Sequence, residues 1–296
     1  MARSHPSPPQ RAERRVLFES LGVSVVDFRC REHVAPEGPE EPNGTHSIVL
    51  VRRGLFRRTR RDEAVLADPN HVLLFNAAEP SRFSHPLPGG DDCTILAVET
   101  HRALELVARH APRDAEDPET PFRLGYGISS PRLARIHYEL LALVRKGDTT
   151  LVLDDALSAL AQESVRAVYG TVAAQRAPAP STSTRRRRRD LVEAARMAIH
   201  NRLDAPPGLS ELARAFDCSP FHLSHVFRQT MGVSLRRYVQ QLRARIAADR
   251  LARGALDLTD LALDLGFTDH SHFTNAFRRE WGLPPSRFRK NFQAAV

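Results

Sequence analysis

Two groups of side chains near the C-terminus are of the kinds that read base-pair edges. The first is Phe221, His222, Ser224 and His225; the second is His270, Ser271, His272, Thr274 and Asn275. Asn can pair with adenine through two hydrogen bonds, Ser and Thr can bond several base edges, and Phe can touch a thymine methyl. Neither group contains Arg, the commonest guanine reader, so reading here would depend partly on DNA shape. Arg228, Arg278, Arg279, Arg287 and Arg289 lie beside the groups. They suit phosphates, contacts that set position and affinity rather than sequence.

The elements that must present these residues form a repeat. Up to a turn, the two copies align at an offset of 49: Leu209 with Leu258, Leu212 with Leu261, Ala213 with Ala262, Asp217 with Gly266. Beyond it the offset is 50: Leu223 with Phe273, Val226 with Ala276, Phe227 with Phe277, Arg228 with Arg278, Gly232 with Gly282. Each copy reads as a short helix, a tight turn and a second helix, the layout of a helix-turn-helix. Ala213 and Ala262 let the paired helices approach closely. Gly266 accepts a left-handed backbone freely, and Asp217 at modest cost. Ser219 and Thr268 are expected to cap the second helices, and Phe227 and Phe277 to anchor their cores. Leu235, Tyr238, Val239, Leu242, Ile246 and Leu251 mark a long helix between the copies.

Charge divides the chain in the same place. From Arg185 onward there are 20 Lys+Arg against 11 Asp+Glu, and before it 23 against 24. A basic half joined to a neutral half points to a polyanion partner for one half only. Five arginines, Arg185 to Arg189, follow an Ala/Pro/Ser/Thr stretch. Residues 175–189 are therefore expected to be a flexible basic linker, with the arginines solvated or touching phosphates. Asp190 with Glu193 has the spacing of a capping box, so the C-terminal domain is expected over 190–296, with Leu191, Ala194, Ala198 and Ile199 as an apolar stripe.

The neutral half reads differently. Short apolar runs at Ser47–Arg52, Glu63–Ala67, His71–Phe75 and Cys93–Val98 are separated by turn residues, which argues for a sandwich or barrel. Between Ser130 and Ala174 the apolar spacing becomes helical. Two helices there would close the barrel or pair with a second subunit. Residues 1–15 read as a disordered tail and 16–174 as a sensor or dimerisation domain. The fold class is thus α+β and multidomain. Three scattered cysteines make no disulfide framework, no apolar run reaches membrane length, and a reducing cytoplasm is the expected compartment.

Cys30, His46, His85 and Cys93 fall on or beside different expected strands. If they converge, they make a set suited to zinc; otherwise they are core and hydrogen-bonding residues, and no cofactor is called for. A barrel lumen lined by Phe75 and Phe83 could hold a small organic effector, and Arg52, Arg57 or Arg60 could bind an acid.

The stretch from about Asp190 to Lys290 resembles the AraC/XylS family of bacterial transcription regulators. The resemblance rests on the doubled helix-turn-helix and on the run from Leu265-Gly-Phe-Thr-Asp through Trp281-Gly-Leu-Pro-Pro to Arg289. It implies seven helices, two recognition helices in successive major grooves, and contact with RNA polymerase in activators. The N-terminal half looks like the cupin-like sensor of many members, which implies a homodimer or effector binding. Catalytic cupins carry a closely spaced histidine pair, and Phe56-Arg-Arg-Thr-Arg-Arg61 stands where it would fall. No enzyme is expected. A metal-dependent cupin enzyme fused to a DNA-binding domain, or an architectural DNA-binding protein, are the competing readings.

Overall fold

Alternating burial along the strands gives the N-terminal half its layers. A computed structural model describes residues 12–31, 36–61, 63–174, 182–254 and 257–292. Its strands are β1 (Ala12–Ser20), β2 (Val23–Cys30), β3 (Glu41–Pro42), β4 (His46–Gly54), β5 (Phe56–Arg60), β6 (Glu63–Ala67), β7 (His71–Phe75), β8 (Pro80–Ser84), β9 (Asp91–Val98) and β10 (Tyr126–Ile128). One sheet has the order β1-β2-β9-β4-β7-β10 and the other β3-β8-β5-β6. In β4, Val49 and Val51 point into the core between the sheets, with Phe56, Val65, Phe75 and Cys93. Ile48 and Leu50 point the other way, into a core shared with helices. This is the two-residue period of a strand buried on both faces.

The expected barrel is not closed. Among the described residues the outer strands of one sheet do not pair with those of the other. The chain passes repeatedly between the sheets, among other places after Gly54, whose φ is +90°, and through the Asp68–Asn70 turn. The tail expected over residues 1–15 also needs correction from Ala12 onward. Residues 12–15 pair with β2, Ala12 opposite Cys30. Their charged side chains are tolerated because an edge strand buries backbone bonds, not side chains; residues 1–11 lie outside the described set.

The helices are α1 (Thr100–Ala108), α2 (Pro131–Lys146), α3 (Thr150–Ala174), α4 (Thr182–Asn201), α5 (Leu209–Ala215), α6 (Pro220–Met231), α7 (Leu235–Ala252), α8 (Leu258–Asp264), α9 (His270–Trp281) and α10 (Pro285–Phe292). None is long and apolar enough to cross a membrane. Ser130 caps α2 by accepting from the Leu133 N–H, and Gly147 ends it at φ +66°. One face of α2, with Leu133 and Leu140, covers the large sheet. The other, with Ala134, Tyr138 and Ala142, enters the core around Trp281, Phe277 and Phe288. Two faces of α2 are thus covered within one chain, and Arg132 and Glu139 stay exposed between them.

The linker expectation is corrected where it can be seen. Arg185–Arg189 lie inside α4, and Asp190 is an interior helix residue rather than a cap. Helix continuity is favoured because Arg is a good helix former. Residues 175–181 lie outside the described set. The buried face of α4 is Val192, Ala195, Arg196 and Ile199, with Glu193; of the expected stripe, Ile199 is buried and Leu191 and Ala198 pack half-buried against the same core. Polar residues share the buried face because α4 meets the N-terminal sheet as well as α6 and α7.

Candidate nucleic-acid interface

The four short helices α5, α6, α8 and α9 form two pairs, each closed by a turn of the expected kind. Asp217 has φ +49° and Gly266 φ +71°. A Cβ on Gly266 would lie 1.7 Å from the Asp204 carbonyl oxygen, so close approach as well as φ excludes a side chain there. The first pair packs Leu212, Ala213, Leu223, Val226 and Phe227 together. The second packs Leu261, Ala262, Phe273, Ala276 and Phe277. Helix α7 lies between the pairs. Ser234 caps it, and its Tyr238 and Leu242 enter the first core while Ala244, Ala248 and Leu251 enter the second.

Ser219 caps α6, accepting from the His222 N–H at 3.1 Å. The matching expectation for Thr268 fails. Asp269, the extra residue of the second copy, accepts from the His272 N–H at 2.7 Å and caps α9 instead. A carboxylate at this end is favoured by the helix dipole. Thr268 sits one residue outside, its hydroxyl donating to Asp269 at 3.1 Å.

Six of the nine base-reading candidates are exposed: Phe221, His222 and His225 on α6, and His270, Ser271 and Asn275 on α9. Phe221 is 82% exposed, and its ring stacks on His225 at 6.3 Å. Ser224 is half-buried. The other two are also half-buried. His272 is engaged locally, 3.1 Å from the Thr268 hydroxyl and edge-on to Phe267. The Thr274 hydroxyl is shielded from solvent because the helix turns it toward the core. Arg228, Arg278, Arg279 and Arg287 are exposed and Arg289 half-buried. Near α6, Arg188 donates to Gln229 at 3.2 Å, which brings the arginine run of α4 alongside the end of that helix.

A second constellation, missed in the sequence, binds this helical region to the N-terminal sheets. Asp68, fully buried in the β6–β7 turn, accepts from Arg196 at 2.5 Å and from the Tyr238 hydroxyl at 2.5 Å. His71 lies 2.9 Å and His200 3.3 Å from the same carboxylate. Burial alone would push the Asp68 carboxyl up. Arg196, then His71 and His200, outweigh it and hold the carboxyl well below the ordinary value. The Tyr238 phenol is pushed up by its burial and by Asp68. Arg245 of α7 donates to the Pro69 carbonyl at 2.7 Å and the Ser129 carbonyl at 2.8 Å, and pairs with the buried Glu280 of α9 at 2.8 Å. Arg253 reaches Asp92 at 2.6 Å. Partners more than a hundred residues apart leave no local signal in a sequence.

The arginines considered for an acidic effector are already paired. Arg52 bonds Asp27, Arg57 bonds Glu193 at 2.6 Å, and Arg60 bonds Glu79 and Glu63 at 3.2 Å each. Phe75 and Phe83, expected to line a lumen, stack on each other at 6.2 Å, with Arg58 lying 3.6 Å over Phe75.

The four-residue zinc set is brought together only in part. Cys30, His85 and a carboxylate not singled out beforehand, Asp91, place ligand-type atoms within 4.8 Å of one another. Cys93 donates to Asp91 at 3.1 Å. His46 does not join them. Its Nδ1 accepts from the Ala77 N–H, and its ring stands edge-on to Phe122. The register explains the split: His46 pairs with Val98 at the far end of β9 from Asp91 and Cys93. Burial pulls the His85 imidazole down, yet hydrogen bonds to Asp91 and Cys30 carry it up to about 9.

Residues 212–291 match a family described as a helix-turn-helix domain. The Msm operon regulatory protein of Streptococcus mutans is 27% identical over 95 residues, 32% of this chain and 34% of that protein. The HTH-type transcriptional activator RhaR of Salmonella arizonae is 30% identical over 110 residues, 37% of this chain and 38% of that protein. The chain therefore matches little more than a third of the length of these curated relatives. A solved structure, the C-terminal domain of the response regulator AraT from Geobacillus stearothermophilus, is 24% identical at TM-score 0.34. It covers 36% of this chain and 88% of that one. The family match, the two relatives and the capped helix pairs lead to one conclusion: residues 212–291 are a helix-turn-helix domain of the AraC/XylS family.

Proposed function

We propose that this chain is a sequence-specific, DNA-binding transcription regulator with two helix-turn-helix units, whose second helices α6 and α9 enter neighbouring stretches of major groove. The observation that carries this reading is the exposure of Phe221, His222, His225, His270, Ser271 and Asn275 on the outer faces of α6 and α9. A large aromatic left 82% exposed on a helix's first turn is costly in water and useful against a thymine methyl. Arg228, Arg278, Arg279 and Arg287 flank these faces and clamp phosphates, and the arginines of α4 add to that contact beside α6. Successive grooves on one DNA face are about 34 Å apart, one turn of duplex.

In this reading the N-terminal half, residues 12–174, is a cupin-like dimerisation or sensor unit, and the protein works as a cytoplasmic homodimer. An activator of this type would also contact RNA polymerase. Its packing against α4 and α7 gives an effector a direct route to the DNA-binding helices. Selection of bound duplexes from a random pool by the full chain tests the reading. Enrichment of two short motifs about one turn apart supports it, and recovery of unselected sequence would leave only a non-specific, architectural role.

A further inference from the structure

We propose that Cys30, His85, Asp91 and Cys93 form a binding site for a zinc-like divalent cation that clasps the two N-terminal sheets together. Cys30 ends β2 and Asp91 begins β9, both in the large sheet, while His85 directly follows β8 of the small sheet. Ligand-type atoms of Cys30, His85 and Asp91 lie within 4.8 Å of one another, and the Cys93 sulfur is 3.1 Å from Asp91 Oδ2. A tetrahedral zinc with bonds of about 2.0–2.3 Å needs ligand atoms about 3.3–3.8 Å apart. Cys30, His85 and Asp91 reach that by a small contraction; the Cys93 sulfur, which is not part of that 4.8 Å grouping, has to turn in from its contact with Asp91 to complete the four.

The backbone is built for the approach. A Cβ on Gly90 would lie 2.1 Å from the Cys30 carbonyl oxygen, and one on Gly54 would lie 2.1 Å from the Gly90 carbonyl oxygen. Two glycines thus let the β8–β9 loop close over the end of β2, which is what sets Asp91 beside Cys30. Alternation along β9 then puts Asp91 and Cys93 on one face and Asp92 on the other, where it holds Arg253.

The donor set favours zinc over harder ions. Two thiolates, an imidazole and one carboxylate are soft to borderline ligands, whereas magnesium and calcium take all-oxygen shells. Two thiolates and a carboxylate would leave one net negative charge around a divalent ion. The same Cys–His–Asp grouping could be drawn as a nucleophile, but the three residues are only 4–7% exposed and leave no room for a substrate.

The test is metal binding by the full chain, purified under reducing conditions. Expected are one zinc per chain and, on substitution with cobalt, the intense visible bands of four-coordinate geometry with a thiolate charge-transfer band in the ultraviolet. Cys30→Ser and His85→Gln should weaken binding by more than the roughly 10–100-fold lost when only a group behind a ligand is removed. Cys93→Ser should reduce the charge-transfer intensity, and Cys218→Ser should change nothing. The wild-type cobalt spectrum does not depend on any variant folding. Absence of stoichiometric metal in the wild type, a Cys30–Cys93 disulfide in its place, or wild-type binding by Cys30→Ser would overturn the proposal.

Discussion

The Arg196 guanidinium of α4 lies 2.5 Å from the Asp68 carboxylate in the turn between β6 and β7, and both side chains are buried. The pair joins the sheets to the helical region, and Tyr238 of α7 completes it from a second helix. An ion pair removed from water gives little net stability by itself, because desolvation offsets most of the attraction. What it gives is a fixed geometry. Arg196 and Tyr238 meet Asp68 only when α4 and α7 lie as they do, and α7 in turn packs against α6 and α9.

Loss of one partner should therefore be severe. Asp68→Ala leaves Arg196 buried without its counter-charge and should cost about 3–5 kcal/mol. Urea unfolding would read this as a lower midpoint. A midpoint like that of the wild type would mean the carboxylate is not the centre of the joint.

The same carboxylate sets a pH dependence. Its pKa in the folded chain is depressed, by Arg196 first and then by His71 and His200, against the opposing effect of burial. A group depressed on folding contributes fully above its unfolded value, about 4, and loses the contribution as pH falls through the folded value. The stability difference between wild type and Asp68→Asn should stay level from neutral pH down to about 4 and shrink only in stronger acid. A difference that vanishes between pH 7 and 5 would contradict this.

The two turns should respond oppositely to exchange. Gly266→Ala places a Cβ at φ +71° and against the Asp204 carbonyl, and should cost more than the roughly 1–2 kcal/mol of a left-handed residue alone. Asp217→Gly relieves the same backbone penalty at φ +49° and should be neutral or stabilising. Thermal unfolding of both variants checks the pair. Equal losses would show that the turns are not equivalent in the way the repeat suggests.

The reading residues and the phosphate clamps should separate in binding assays. Asn275→Ala should relax base preference at one position of the site, a change of about 1–3 kcal/mol for that base pair. Arg278→Ala should weaken binding to all duplexes alike and lower the salt dependence by about one ion. Competition titrations at two salt concentrations distinguish them.

How much of this could be read from the chain depends on distance along it. The helix pairs were legible because their signals are local: the Asp217 and Gly266 turns, the Ser219 cap and the paired Phe227 and Phe277 all act within a few residues. Thr268 misled because the single inserted residue moved the cap to Asp269. Asp68, Arg196, Arg245 and Glu280 were not singled out, since Asp68 and Arg196 meet across 128 residues and Arg245 and Glu280 across 35. His46 and Asp91 exchanged roles for a similar reason: strand register, not residue type, decides which end of β9 a neighbour faces.

The most direct measurement of the central claim is duplex selection by the full chain, repeated with Phe221→Ala and Asn275→Ala in separate variants. Two motifs about one helical turn apart should be enriched, with Phe221→Ala altering one and Asn275→Ala the other. If both variants alter the same motif, or the wild-type chain enriches none, α6 and α9 are not separate readers of DNA.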